Sequence, residues 1–265
     1  MSANDSPEVP ESDDGSLSEQ APLLSFVLLR EAVLPDADEL CAVARSVGLP
    51  LGDEAPEVKD ETLVIALEGE GSLLISLMNA PHPDAAEMPP GLTSPPPEEI
   101  EEQVAHYIVV LVGVEGEPLE LDLLACRALS SVVRSSPAIA AMFGRGAVFH
   151  AAELFEAVDD EISIEQPPIE LLIDMTVADE GNGRLSILTH GMPRYGRENL
   201  LVHAPHAQGQ DAAELGFQLI SWLLLDPSKE FPTGDTVGRT AREKHRIDRG
   251  PNPIDADETV MIVRM

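Results

Sequence analysis

His82 with Asp84, and His106 at the entry of the next apolar run, are the residue types of a His/carboxylate metal set, because imidazole and carboxylate suit Zn²⁺ or Fe²⁺. A metal-dependent hydrolase could be built on those three. Their spacing matches no compact ligand motif, however. The plainer reading puts His82 in a proline loop and pairs His106 with a backbone carbonyl at a helix-to-strand junction. In His203-Ala204-Pro205-His206 the proline keeps the two imidazoles off a helix, so no ligand-ready face forms. Neither a metal nor a cofactor is expected.

Nucleophiles fare no better. Ser130, Ser131, Ser135 and Ser136 cluster near Arg134, but the Gly-x-Ser-x-Gly elbow that would expose a serine on a strand-to-helix turn does not occur. Cys41 lies beside Leu40 and Val43 in a helical pattern, where an inert buried thiol is expected, and Cys126 reads the same way. Gly144-Arg145-Gly146 resembles part of a phosphate-cradling loop, yet it lacks a third spaced glycine and a following lysine, and reads as a turn after a helix. No catalytic residue is assigned.

The charge pattern says more. Residues 1 to 180 hold 37 acidic and 6 basic side chains, whereas residues 181 to 265 hold 11 and 10, within a net charge of -32. Such a chain repels phosphate and anionic membrane over most of its surface and favours a cationic partner. With aromatics at 3% there is little to stack bases on, so nucleic-acid binding is not expected. Glu98, Glu99, Glu101 and Glu102 form the densest acidic run, best read as a solvated helix start. Arg239, Arg242, Lys244, His245, Arg246 and Arg249 form the one basic run, expected to dock on the protein's own acidic surface.

The elements that must position these residues follow from apolar periodicity and caps. Residues 1 to 22 carry six carboxylates and no basic side chain, so they read as a disordered acidic extension and not as a targeting peptide; a cytoplasmic protein is expected. The apolar run 219 to 225 is far below the roughly 20 residues of a membrane span. A strand at 25 to 29 leads to a helix at 37 to 47, with Asp36 and Glu39 at capping-box spacing and Gly48 as its C-terminal cap. Strands at 62 to 67 and 72 to 78 flank a Glu-Gly-Glu-Gly turn. A long loop with seven prolines between 81 and 97, a short acidic helix at 98 to 105 and a strand at 107 to 113 complete a β-α-β-β-α-β order, which is ferredoxin-like.

Helices are expected at 119 to 134 and 137 to 143, and a further turn or two at 151 to 157. Alternation predicts a strand from 169 to 177, then strands at 185 to 189 and 199 to 203. The helix at 211 to 224 is apolar all round and should pack centrally. Residues 226 to 258 show no regular pattern before a final strand at 259 to 264.

Several stretches together resemble the uncharacterised bacterial domain-of-unknown-function family 4261. They are Met78-Asn79-Ala80-Pro81-His82-Pro83, Ala105 to Val110, Ser135 to Ala140 before Phe143-Gly144-Arg145-Gly146-Ala147-Val148, Ala151 to Phe155, and Thr189-His190-Gly191-Met192 to Tyr195-Gly196. The similarity spans roughly 23 to 235. It departs where the family places tryptophan after the first motif and aromatic residues before Gly144. The resemblance implies an α+β domain and no established activity.

The reading is an α+β fold with an antiparallel or mixed sheet and packed helices, arranged as two ferredoxin-like halves if the hairpins near 62 to 78 and 169 to 189 mark a duplication. A domain at 23 to 235 is followed by a basic tail, 236 to 265, ending in a strand. The expected function is a non-enzymatic binding protein whose acidic surface meets a basic protein partner; the alternative is the hydrolase built on His82, Asp84 and His106. Self-association through the apolar helix or a sheet edge is a further route to assembly.

Overall fold

The computed structural model describes residues 23–157, 162–226, 228–240 and 242–265; the N-terminal extension expected to be disordered lies outside the described residues. The first half contains β1 (Leu23–Leu29), α1 (Ala37–Ser46), β2 (Glu57–Lys59), β3 (Thr62–Ala66), β4 (Ser72–Met78), α2 (Pro97–Glu101), β5 (Ala105–Val112), α3 (Pro118–Arg134), β6 (Ala138–Phe143) and β7 (His150–Ala151). They form one sheet in the order β2-β3-β4-β5-β1-β6-β7, antiparallel at every step.

Within that sheet, β1-α1-β4 and β5-α3-β6 are the two interleaved βαβ units of a ferredoxin-like fold. The order is therefore as expected, but its members differ. The second crossover helix is α3, not the acidic piece, which shrinks to α2. The segment expected as a helix at 137 to 143 is strand β6. Its Ile139, Ala140, Ala141 and Met142 are all buried, and a strand covered on both faces reads as an unbroken apolar run, which periodicity alone cannot tell from helix.

Caps fix the starts of both crossover helices, for α1 at the Asp36 that the sequence suggested and for α3 at a box it did not mark. Asp36 accepts from the amides of Asp38 and Glu39 at 3.0 Å. Glu117 and Glu120 form a reciprocal capping box at the start of α3, with Pro118 in the first turn. Both helices press Leu40, Ala44, Leu129 and Val132 onto Val27 and Leu29 of β1. The opposite face of β1 and β6, with Leu28, Ala140 and Met142, is covered by the proline-rich segment through Ala85, Met88 and Ile100.

The second half contains α4 (Ala152–Ala157), α5 (Ile169–Leu172), β8 (Asp174–Gly181), β9 (Arg184–His190), β10 (Leu200–Pro205), α6 (Gly209–Leu225), β11 (Thr236–Val237), β12 (His245–Pro251) and β13 (Thr259–Arg264). Its sheet runs β11-β12-β13-β10-β9-β8, with β13 parallel to β10 and the other pairs antiparallel. This meander, single long helix and hairpin do not repeat the ferredoxin-like order, so the duplication that the two hairpins left open does not appear in the topology of the described residues. The fold is α+β with one antiparallel and one mixed sheet.

Three local expectations change. Residues 169 to 172 form a helical turn, because adjacent Leu171 and Leu172 are both buried and a strand would send one of them outward. The tail is not irregular: β12 carries the second half of the basic run, and the final strand β13 inserts between β10 and β12. α6 buries Leu215, Leu219, Ile220 and Leu223, but Trp222 and Leu225 stay 37% and 48% exposed, so the helix is not enclosed. One continuous core joins Val27 and Tyr107 of the first sheet to Ile187, Val202 and Val263 of the second.

The proline-rich segment also stitches the sheets edge to edge. The Leu92 amide donates to the Met175 carbonyl at 2.9 Å, and the Ala151 amide donates to the Thr93 carbonyl at 2.8 Å. Residues 91 to 93 thus lie between edge strand β7 and edge strand β8, and cover backbone groups that would otherwise be open to pairing.

Candidate functional site at the seam between the sheets

Buried polar groups collect at this seam. Thr93 comes from the stitching segment, His150 from β7 and Asp174 from the start of β8. Thr93 Oγ1 is 2.6 Å from His150 Nδ1, and His150 Nε2 is 2.9 Å from Asp174 Oδ1. Asp174 Oδ2 accepts from the Ala147 amide. The carboxylate favours the proton on Nε2, which leaves Nδ1 to accept from the threonine hydroxyl. Hydroxyl, imidazole and carboxylate in that order are the parts of a nucleophilic relay. Here they face inward. His150 is 0% exposed, and its Nε2 approaches Asp174 without the alignment of a hydrogen bond. The set acts as a clasp across three chain segments.

A second network lies beside it. Asp122 on α3, 4% exposed, accepts from Tyr195 Oη at 2.6 Å and from Arg194 Nη2. Burial pushes the Asp122 carboxyl up, while Tyr195, Arg194 and Arg145 pull it back. Burial also drives the Tyr195 hydroxyl far up, and Asp122 adds to the rise. Arg194 and Tyr195 reach α3 because the short turn Met192–Tyr195 is framed by Gly191 and Gly196, at φ +104° and +69°. His190 Nε2 lies 2.9 Å from Thr176 Oγ1, and burial holds its imidazole below the ordinary value against the pull of Asp174 and Glu258.

Asp122, Arg145, Asp174, His190 and Arg194 line a crevice of about 30 Å³, room for roughly a water molecule. Gly146 forms part of its wall. A β-carbon there would meet the Phe143 carbonyl at 2.8 Å and Asp174 Oδ2 at 3.1 Å, so the close approach requires glycine. The crevice mixes two carboxylates with two guanidinium groups and an imidazole; Asp122 and Arg194 answer one another across it, and Asp174 turns to His150 outside it. Its walls bring together α3, the turn after β6, the start of β8 and the turn after β9.

The residues singled out from sequence fall elsewhere. His82 and His106 do meet, with ring centroids 5.2 Å apart and edge to face, inside an aromatic group with Phe26 and Phe149. His106 Nδ1 is 2.8 Å from the Ala80 carbonyl, and His82 Nδ1 accepts from the Asp84 amide at 3.3 Å. Among the described residues no group of three His, Cys, Asp or Glu side chains is placed to hold a metal. His203 and His206 go to separate carboxylates, Glu180 and Asp179. Ser131, Ser135 and Ser136 donate back to carbonyls of α3. Cys41 and Cys126 are free and buried, and burial raises both thiols. Gly144-Arg145-Gly146 follows strand β6 and not a helix, a correction that comes with the reassignment of that segment.

The acidic and basic runs pair within the molecule. Arg30 meets Glu99 at 2.9 Å and Glu102 at 3.6 Å. Arg239 meets Asp211 at 2.6 Å, Glu214 at 2.8 Å and Glu243 at 3.1 Å, and Arg249 meets Glu198 at 2.5 Å.

Sequence reasoning passed over Thr93, His150 and Asp174, which only tertiary structure brings together. Asp122 left a signal: it is the one carboxylate on the buried stripe of α3, one turn before Cys126. Two of the resemblance stretches, Phe143 to Val148 and Thr189 to Gly196, supply walls of the same crevice. No family model matches the chain, and neither a curated protein nor a solved structure matches it.

Proposed function

We propose that this chain is a non-enzymatic binding protein whose acidic surface meets a basic protein partner, and that it belongs with the domain-of-unknown-function family 4261 that it resembles. The observation that carries the binding reading is how folding disposes of charge. Arg30, Arg194, Arg239 and Arg249 are spent on the chain's own carboxylates, and Arg197 is spent on the carbonyls of Leu223, Asp226 and Lys229. The acidic excess is left outside. At one end of the first sheet, Asp53, Glu54, Glu68 and Glu70 line an open groove of about 560 Å³ whose wall, among the described residues, carries no cation. A surface of this kind speeds encounter with a cationic protein and rejects anionic ones.

The test is capture from native lysate at low salt with release at about 0.5 M, where screening shortens to a few Å. Two variant sets remove equal charge. Asp53→Asn, Glu54→Gln, Glu68→Gln and Glu70→Gln neutralise the groove, and Gln at Glu98, Glu99, Glu101 and Glu102 neutralises α2. The proposal expects one basic protein, lost with the first set and kept with the second. No partner at any salt, or equal loss with both sets, would overturn it.

A further inference from the structure

Where the end of α6 meets the β12-β13 hairpin, a cavity of about 370 Å³ opens, within the size range of small-ligand sites. Its floor is apolar: Leu223, Phe231 and Met261 are each buried. Its walls carry Arg197, Lys229 and Arg249 against Glu198 and Glu230. In a chain of net charge -32, a cavity lined by more cations than carboxylates reverses the general surface.

The three cations are committed to different degrees. Arg197 donates Nε to the Leu223 carbonyl at 3.0 Å, Nη2 to Asp226 at 3.1 Å and Nη1 to Lys229 at 3.3 Å, and so closes the C-terminal end of α6. Arg249 gives Nε to Glu198 at 2.5 Å and Nη2 to the Phe231 carbonyl at 2.9 Å. Its Nη1 is shielded from solvent and meets no acceptor among the described residues. The Lys229 ammonium is held 5.8 Å from the Trp222 ring centroid and 5.6 Å from that of Phe231. Among the described residues it makes no ion pair. Lys229, whose ammonium is felt by the Asp226 carboxyl but makes no ion pair with it, and Arg249, whose shielded Nη1 has no acceptor, both line this one cavity and leave cationic donors that the chain's own carboxylates do not fully answer.

We infer that this cavity binds a small organic monoanion with an apolar or aromatic body. The carboxylate sits between Lys229 and Arg249, and the body lies on Leu223, Phe231 and Met261. Inorganic phosphate has the charge but leaves that floor uncovered, and a neutral analogue covers the floor but leaves the cations unanswered. The inference is independent of the acidic surface, which lies on other residues.

Trp222 is the chain's single tryptophan, and its ring centroid is 6.3 Å from that of Phe231 in the cavity floor, so fluorescence excited selectively at tryptophan, away from the two tyrosines, reports beside this site. Phenylacetate is the probe, with phenylacetamide as its neutral counterpart and inorganic phosphate as charge without a body. The expected result is a saturable change with phenylacetate and binding weaker by about tenfold or more for the other two. Lys229→Met and Arg249→Gln each weaken phenylacetate by about tenfold. Arg249→Gln also breaks the Glu198 contact and can disturb folding, so Lys229→Met, with an unchanged circular dichroism spectrum, decides. No saturable change up to about 10 mM, a range that still detects millimolar affinity, overturns the inference, as does an amide that matches the acid or a Lys229→Met protein that binds phenylacetate like the parent.

Discussion

Thr93 and His150, 57 residues apart in the chain, meet through a 2.6 Å contact between hydroxyl and imidazole at the line where the two sheets join. The contact sits beside the backbone bonds of Leu92 and Ala151, so it anchors the segment that closes both sheet edges. Thr93→Val keeps the shape and removes the hydroxyl, leaving a buried ring nitrogen without a partner. The expected cost is about 1–3 kcal/mol of folding stability. Denaturant titration measures it, and hydrogen exchange at the Leu92 and Ala151 amides should rise in step. A stability unchanged from the parent would mean that the clasp holds nothing.

Acid should loosen the molecule on both sides of that seam. Burial holds His190 below its ordinary 6.5, and burial together with the nearby His106 does the same to His82. Each binds a proton less readily folded than unfolded, so the unfolded chain takes up more protons as pH falls below 6.5. Their contribution to stability is whole above 6.5 and is lost as pH falls through the lowered folded values. The melting temperature of the parent should therefore drop on acidification from about pH 7 to about pH 5. In a His82→Phe, His190→Gln double variant the drop should be shallower; an equally steep fall would count against both groups.

How much of this could be read in advance depends on where each segment hides its side chains. α1 and the β3-β4 hairpin were legible because each has one wetter side, which gives a clean period, or a cap or turn that marks an end; α3 was legible from its length, and β1 from a short bounded apolar run although its second half is covered on both faces. β6 was not, since it is dry on both faces. β12 was hidden for the opposite reason: Ile247 is its one buried side chain, and the strand exists because β13 offers a partner. The seam was illegible in a third way. Thr93, His150 and Asp174 are unremarkable in their local contexts, and only the packing of β7 against the stitching segment and β8 makes them neighbours. Asp122 alone stood out from its surroundings, as an acid on a dry helix face.

That acid should couple strongly to its partners. Removing one side of a buried ion pair strands the other, so Asp122→Ala is expected to cost about 3 kcal/mol, toward the low end of such cases because Arg194 is partly exposed. Tyr195→Phe removes one hydrogen bond to a charged group and should cost about 1.5–3 kcal/mol. A double-mutant cycle should show that the two losses do not add. Burial also keeps Asp122 above its ordinary 3.8, so by itself it lets stability fall as pH rises through the window above 3.8, a slope that Asp122→Asn should remove. Additive losses would show that Asp122 and Tyr195 act apart.

The tail tests the charge asymmetry most directly. Arg239 reaches Asp211 and Glu214 in the first turns of α6 and holds Glu243 on its own segment, and these carboxylates push its already charged guanidinium further up. Beyond it the basic run becomes β12, which is joined to the sheet through β13. The ion pairs lie near the surface and are screened by salt, whereas the β12-β13 backbone bonds are not. Salt at about 0.5 M, or Arg239→Ala, should therefore raise amide exchange across 228 to 244 and leave Ile247 and Val263 protected. Release of the whole hairpin would mean that charge, and not the sheet, holds the tail on the body; no change at Arg239→Ala would mean that the clamp is idle.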